Sequence, residues 1–245
     1  MRKLIIPIFV ACLSVSFTIL PTAQHKNNPS IVLPFTTVNT ANNNVVSEEA
    51  ATLYNTIGLD AYGLSQDAFA YAYRGYEYLL SKNKITRTEY LTICDFSQSS
   101  RQKRFYIIDL ANNKIVTNTY VAHGRNSGAE YATHFSNKPE SLESSLGFYI
   151  TRGTYIGEHG LSLKIDGVDN GYNNNAMSRN IVIHGAAYVG EDRARSGMYM
   201  GRSWGCPAVS QKESATIITT IKNGTCLFIY HPDRSYLKGS KILNG

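Results

Sequence analysis

The chain has 245 residues, 43% of them hydrophobic and 17% charged, which is ample for a core and for one or two domains. Its formal charge of +6 suits an anionic wall or membrane surface, but no Lys/Arg cluster forms a nucleic-acid-binding face, so nucleic acid is excluded as a partner. Two of those charges, Arg2 and Lys3, lie in a leader, so the remainder of the chain is only mildly basic.

Residues 1–23 have the pattern of a secretory signal: Arg2-Lys3 as the positive start, Leu4 to Leu20 as the apolar run and Thr22-Ala23 as the small-residue end. The run is too short, and too rich in Ser, Thr and Pro, for a membrane span, so the expected product is exported to the periplasm or cell envelope without a transmembrane anchor. Cys12 is read as part of the apolar run rather than as a lipid-anchor site. Residues 24–46, rich in Asn, Thr, Pro and Ser without a period, read as a disordered linker.

Residues 47–88 read as a helical segment packed on a sheet domain. Ser47 caps a short Glu-Glu-Ala-Ala-Thr-Leu-Tyr helix, and Ser65 opens a second, whose Phe69, Tyr73, Tyr76 and Leu80 recur at helical spacing. Residues 89–232 read as that main domain, in which the pattern turns to strands. They are expected at 90–96, 104–110, 114–121, 147–156, 161–165, 181–184 and 225–230, with Ala111-Asn112-Asn113 as a hairpin turn. Asp169 to Asn175 is a loop, and residues 233–245 are left as a tail. The fold class is mainly β, a mixed and mostly antiparallel sheet or sandwich, with two helices in front and one after Cys206.

Candidate chemistry centres on Gly201 to Ala208 and on the β-branched run Ile181-Val182-Ile183 that ends at His184-Gly185. A thiol attacks a carbonyl as a thiolate, with a base for its proton and donors for the oxyanion. Cys206 is the candidate nucleophile, His184 the base, and the Gly205 and Cys206 backbone N–H groups the oxyanion hole. Ser210-Gln211-Lys212-Glu213 has capping-box form ahead of Ala215, Ile217, Ile218 and Ile221, which places Cys206 in a loop leading into a helix N-terminus, where the dipole favours negative charge.

These residues resemble the L,D-transpeptidases, whose signature is a His followed by Ser/Thr-His-Gly-Cys. The chain looks most like the murein L,D-transpeptidase catalytic domain branch, in which the motif reads Gly-Arg-Ser-x-Gly-Cys-Pro-Ala. The likeness extends over roughly residues 55–230. It takes in Leu91 to Ser97, Val121 to Gly128, Ser144 to Tyr149, Gly157 to Leu163 and Cys226 to Tyr230. Two departures stand out: Trp204 replaces the second His, and Pro207-Ala208 replaces an apolar-Arg/Asn pair. Neither removes the nucleophile or the base.

The resemblance implies a sheet domain of the L,D-transpeptidase type and an enzyme of peptidoglycan stem peptides. Cys206 forms a thioester at the third stem residue, releasing D-Ala, and an amine takes the acyl group in a 3–3 cross-link. Water as acceptor would make it an L,D-carboxypeptidase, and a catalytically silent wall-binding protein is the alternative from another class. Gly185 supplies the carbonyl that fixes the His184 tautomer. Arg202, Ser203, Trp204 and His159 are the substrate-side candidates. Arg202 either pairs with the donor carboxylate or shapes its loop, and His159 either lines the groove or holds a turn. His123 reads as structural or as part of a substrate-side loop. Carbapenem-type inhibitors are implied ligands, and a monomer is expected.

No Cys or His pair has metal-ligand spacing, so neither metal nor cofactor is expected. Cys94 and Cys226 fall in apolar strand runs and read as two buried thiols rather than a disulfide. The separation of 22 between His184 and Cys206 leaves room for the stretch from Ala187 to Met200 to arch over the groove.

Overall fold

The computed structural model describes residues 47–245; the leader and the whole of the linker expected from sequence lie outside the described residues. Two helices come first, α1 (Glu48–Ile57) and α2 (Gln66–Ser81), each started by a serine. Ser47 accepts the Ala50 N–H and Ser65 the Ala68 N–H, which satisfies one orphan donor at each helix start. Between them a 3-10 turn (Leu59–Tyr62) buries Leu59. Phe69, Tyr73 and Tyr76 of α2 are buried, but Leu79 completes the stripe while Leu80 is 40% exposed. A pattern of apolar letters does not separate adjacent leucines; the rotation of the helix against the sheet does.

Ten strands come next: β1 (Tyr90–Asp95), β2 (Phe105–Asp109), β3 (Lys114–Thr119), β4 (Val121–Gly124), β5 (Gly147–Gly157), β6 (Gly160–Gly167), β7 (Val182–Ala186), β8 (Gly201–Ser203), β9 (Ala208–Ser210) and β10 (Cys226–Tyr230). They form one sheet in the order β3-β2-β1-β10-β5-β6-β7-β9-β4-β8. The pairs β1–β10, β7–β9 and β4–β8 are parallel and the other six antiparallel, so the sheet is mixed and mostly antiparallel. β2, β4, β7, β9 and β10 are buried along their whole length, which explains why β2 and β10 read as near-continuous apolar runs rather than as alternating ones. The run expected at 114–121 breaks at Tyr120 into β3 and β4. The two three-residue strands β8 and β9 carry too little pattern to be read from sequence.

The remaining helices are α3 (Glu191–Arg195), α4 (Ser214–Ile221), α5 (Arg234–Gly239) and α6 (Lys241–Asn244). α4 buries Ile217, Ile218 and Ile221, leaves Ala215 exposed and packs on β6 and β7. The expected capping box does not form: Ser210 ends β9, and Glu213 stands at the N-cap with its side chain accepting from the Thr119 hydroxyl rather than capping the helix. Residues 233–245 are not a loose tail. Asp233 caps α5, Ser240 caps α6, and Tyr236, Ile242 and Leu243 are buried. Buried Asp169 anchors this end, since it accepts the Phe148 N–H and the hydroxyls of Tyr236 and Ser240.

α2 lies close against the sheet because Gly75 has no side chain. A Cβ there would fall 1.9 Å from Phe148, whose ring is stacked at 4.2 Å on Phe228 and has nowhere to go. Gly75→Ala should therefore lower stability by about 1–3 kcal/mol through overpacking, outweighing the ~1 kcal/mol that alanine gains in helix propensity. Urea unfolding checks this, with Gly153→Ala as control, since a Cβ at Gly153 meets nothing within 4 Å.

Candidate active site

The half of the sheet that runs β6-β7-β9-β4-β8 builds the site. β8 pairs parallel with β4 and β9 pairs antiparallel with it, so the turn Trp204–Pro207 straddles the end of β4. Cys206 sits in that turn. Gly205 takes φ +116°, a conformation that favours glycine, and an added Cβ would meet Glu143 O at 2.7 Å. Within the turn the Ser203 hydroxyl donates to Cys206 O at 2.6 Å and accepts the Gly205 N–H at 3.3 Å, while Ser144 Oγ donates to Gly205 O.

β7 and β9 are parallel neighbours with His184 opposite Ala208. That register sets Val182 beside Cys206, and the Val182 N–H donates to Sγ at 3.4 Å. The thiol points to Asn180 O at 3.7 Å. Cys206 and His184 line one cavity of about 540 Å³, but no hydrogen bond joins them. The His184 Nδ1 lies 3.0 Å from Gly185 O, an atom that can only accept, so Nδ1 carries the hydrogen and Nε2 is the basic nitrogen. Burial pushes the Cys206 thiol up and the His184 imidazole down, so the resting pair is a neutral thiol and a neutral imidazole.

The other sequence candidates fall differently. β5 and β6 form a hairpin whose turn, Glu158-His159, carries an exposed His159 stacked on His184 with ring centroids 4.3 Å apart. Trp204 lines the same cavity and is 73% exposed. Arg202 is exposed on the cavity wall, and none of the ion pairs among the described residues involves it. Ser203, expected on the substrate side, also lines this cavity; it is largely buried, and its hydroxyl holds the turn. The Gly205 N–H is engaged by Ser203, whereas the Cys206 N–H has no acceptor among the described residues.

Two further expectations are corrected. β9 and a turn separate Cys206 from α4, and a helix dipole acts only over its first turn, so α4 does not favour the thiolate. Nor does the stretch from Ala187 to Met200 arch over the groove. Only Tyr188 of that stretch lines the cavity, and the chain then runs to the β3–β4 side, where the Met200 N–H bonds Ser100 Oγ. Sequence reasoning missed Tyr188 and Arg179, which lines the cavity from the segment before β7. No spacing or motif marks either one.

Cys94 and Cys226 are free, buried thiols; β1 and β10 pair Leu91 with Cys226 and Cys94 with Ile229, so the two do not face each other. His123 is buried behind the site. Its Nδ1 lies 2.7 Å from the fully buried Arg104 guanidinium and its Nε2 3.2 Å from Gly128 O, while its ring packs where a Cβ of Gly201 would stand. It therefore supports β8.

Burial and the adjacent Arg104 charge hold His123 down to about 4, against about 6.5 in an unfolded chain. Between those values the unfolded state binds the extra proton, so the histidine's contribution is present above about 6.5 and falls by up to ~3 kcal/mol as pH drops to about 4. Asp95 and Asp169, both pushed up by burial, slope the other way, so the difference between wild type and His123→Asn isolates it. The variant should have a flatter loss of stability over pH 4–6.5 in denaturant titrations.

The sequence model of the L,D-transpeptidase catalytic domain matches residues 60–230. A comparison with curated proteins finds no match. Among solved structures, the chain is similar to an L,D-transpeptidase from Mycobacterium smegmatis at 12% identity, covering 58% of this chain and 59% of that one, with a TM-score of 0.37. It is similar to the L,D-transpeptidase LdtMt1 in complex with imipenem at 12% identity, covering 58% and 59%, with a TM-score of 0.35. For an L,D-transpeptidase from Xylanimonas cellulosilytica (residues 123–326) the identity is 13%, the coverage 76% and 94%, and the TM-score 0.33. The chain spans about six-tenths of the length of the first two. With a sequence match that takes in all ten strands, His184 and the turn that carries Cys206, the chain belongs to the L,D-transpeptidase catalytic domain family.

Proposed function

We propose that this protein is an exported cysteine acyltransferase that acts on peptidoglycan stem peptides. The observation that carries the reading is the cavity shared by Cys206 and a His184 whose tautomer Gly185 O fixes. Membership of the family supports it. Among the described residues no helix is long and apolar enough to cross a membrane.

In the first step Sγ attacks the carbonyl carbon of the third stem residue. The thiol proton passes to His184 Nε2, and the imidazolium then gives it to the departing D-Ala nitrogen as the C–N bond breaks. A thioester remains on Cys206. The amine of a neighbouring stem attacks it, loses its proton to His184, and the sulfur leaves and regains that proton. Because thiol and imidazole both rest neutral, charge develops only when substrate is present. The free Cys206 N–H is the first oxyanion donor; the Gly205 N–H joins it when Ser203 Oγ lets go. Arg202 pairs with the donor's terminal carboxylate and the Trp204 indole walls the groove, in place of the second His of other members.

Incubating the mature chain with disaccharide tetrapeptide and following products by mass spectrometry tests the reading. A cross-linked dimer is expected; tripeptide alone would make water the acceptor, and no product would leave a silent wall-binding protein.

Cys206→Ser should keep the fold and lose acyl-enzyme formation, because a hydroxyl is far too weak an acid for this histidine alone. Intact mass after a carbapenem should show one adduct in wild type and none in the variant. An adduct mapped to Cys94 or Cys226 would place the nucleophile elsewhere.

His184→Ala should slow acylation by roughly 10²- to 10⁴-fold. His159→Ala should cost much less and act mainly on KM, since that ring stacks on the base from a hairpin turn without holding its proton. The reverse order, with both folds intact by circular dichroism, would make His159 the base.

A further inference from the structure

Arg179 stands just before β7, half-buried, with no acidic side chain bonded to it. Its guanidinium instead donates to four neutral oxygens of one segment: Ser136 O at 2.7 Å, Ser145 Oγ, Ser141 Oγ at 3.1 Å and Glu143 O at 2.7 Å. On the other side it closes on the nucleophile turn, where Nη2 lies 3.3 Å from the place a Gly205 Cβ would take. The same segment reaches that turn a second way, through Ser144 Oγ and Gly205 O at 3.2 Å. An unneutralised guanidinium held by four hydrogen bonds is both a rigid brace and a fixed charge.

We infer that Arg179 is a positioning residue for Cys206: it locks the 136–145 segment against the Gly205 turn and sets a fixed positive charge beside the sulfur. The inference rests on Cys206 being the nucleophile proposed above. The other ionisable groups facing Cys206 in the cavity are His184, His159, Glu158, Tyr155, Tyr188 and Arg202. Arg179 itself also faces Tyr149 and Glu143. Arg202 is exposed and free to swing, so water screens its charge, whereas Arg179 is pinned. Burial raises the Cys206 thiol, and the Val182 N–H and the Arg179 charge are the two influences that oppose it. The position two residues after the cysteine is Ala208, buried and uncharged, so the pinned cation at this turn comes from the segment ahead of β7 rather than from β9.

The test is the pH dependence of iodoacetamide alkylation of Cys206 in the full chain, mapped by mass; Cys94 and Cys226 are fully buried and do not compete. Arg179→Gln should move the inflection up by about one pH unit or more, which is about tenfold slower alkylation per unit below it. An inflection within a few tenths of wild type, in a folded variant, overturns the inference. Arg179→Lys keeps the charge but cannot span four acceptors. It should hold the inflection while slowing acylation by imipenem at least about tenfold. A lysine variant that shifts the inflection as far as glutamine does, or that leaves acylation unchanged, counts against it, and either result decides the matter even if Arg179→Gln does not fold. Alkylation needs no peptidoglycan. An Arg179-dependent inflection in a chain that never takes up a stem peptide would therefore overturn the proposed function and not this inference.

Discussion

The parallel pairing of β7 with β9 is the constraint on which the site depends. Parallel neighbours cannot be joined by a tight hairpin, so the chain between them must leave the sheet and return. Here it does so through α3 and β8, on the far side of β4. The return sets His184 opposite Ala208 and Val182 beside Cys206. Slipping that register by one residue would turn His184 to the other face of the sheet and take the Val182 N–H off the sulfur. The distance between His184 and Cys206 is thus a property of strand pairing, not of either loop.

Two electrostatic tendencies compete within this frame. Burial disfavours both a thiolate and an imidazolium, and it raises the first group and lowers the second. The Val182 N–H and the Arg179 guanidinium oppose it at the sulfur, and the Gly185 carbonyl opposes it at the ring. Burial prevails at rest, which keeps the thiol protonated. The turn that carries Cys206 is held by Ser203, Ser144 and the left-handed Gly205, so sulfur and backbone N–H move together.

Behind the site, rigidity comes from close approaches that only glycine allows. Gly201 admits the His123 ring under β8, and Gly75 admits Phe148 under α2. Burial pushes the Arg104 guanidinium down to about 9, which leaves it charged at neutral pH, and it braces this layer by donating to the carbonyl oxygens of Val121 and Gln98 and to His123, with the Phe96 ring 4.8 Å away. Asp169 does the same work at the other end, where it binds both C-terminal helices to the loop after β6.

The sequence by itself determined the mainly β class, the two capped helices in front and most of the strands. Apolar runs, serine caps and turn residues are local properties that survive without a fold. Cys206, His184 and Gly185 stood out as candidates because a cysteine between glycine and proline, and a histidine ending a β-branched run, are unusual neighbourhoods in themselves. Only the tertiary structure decided which groups share the cavity. Arg179 and Tyr188 carry no local mark, because an arginine or tyrosine near a loop looks the same wherever its side chain ends. The dipole of α4 read as an aid to the thiolate, since one strand of three residues, β9, leaves no periodicity to be seen. Its hydrogen bonds come from β4 and β7, far away in the chain, and that long-range pairing is what moves the helix off the cysteine and lets the guanidinium of Arg179 approach in its place.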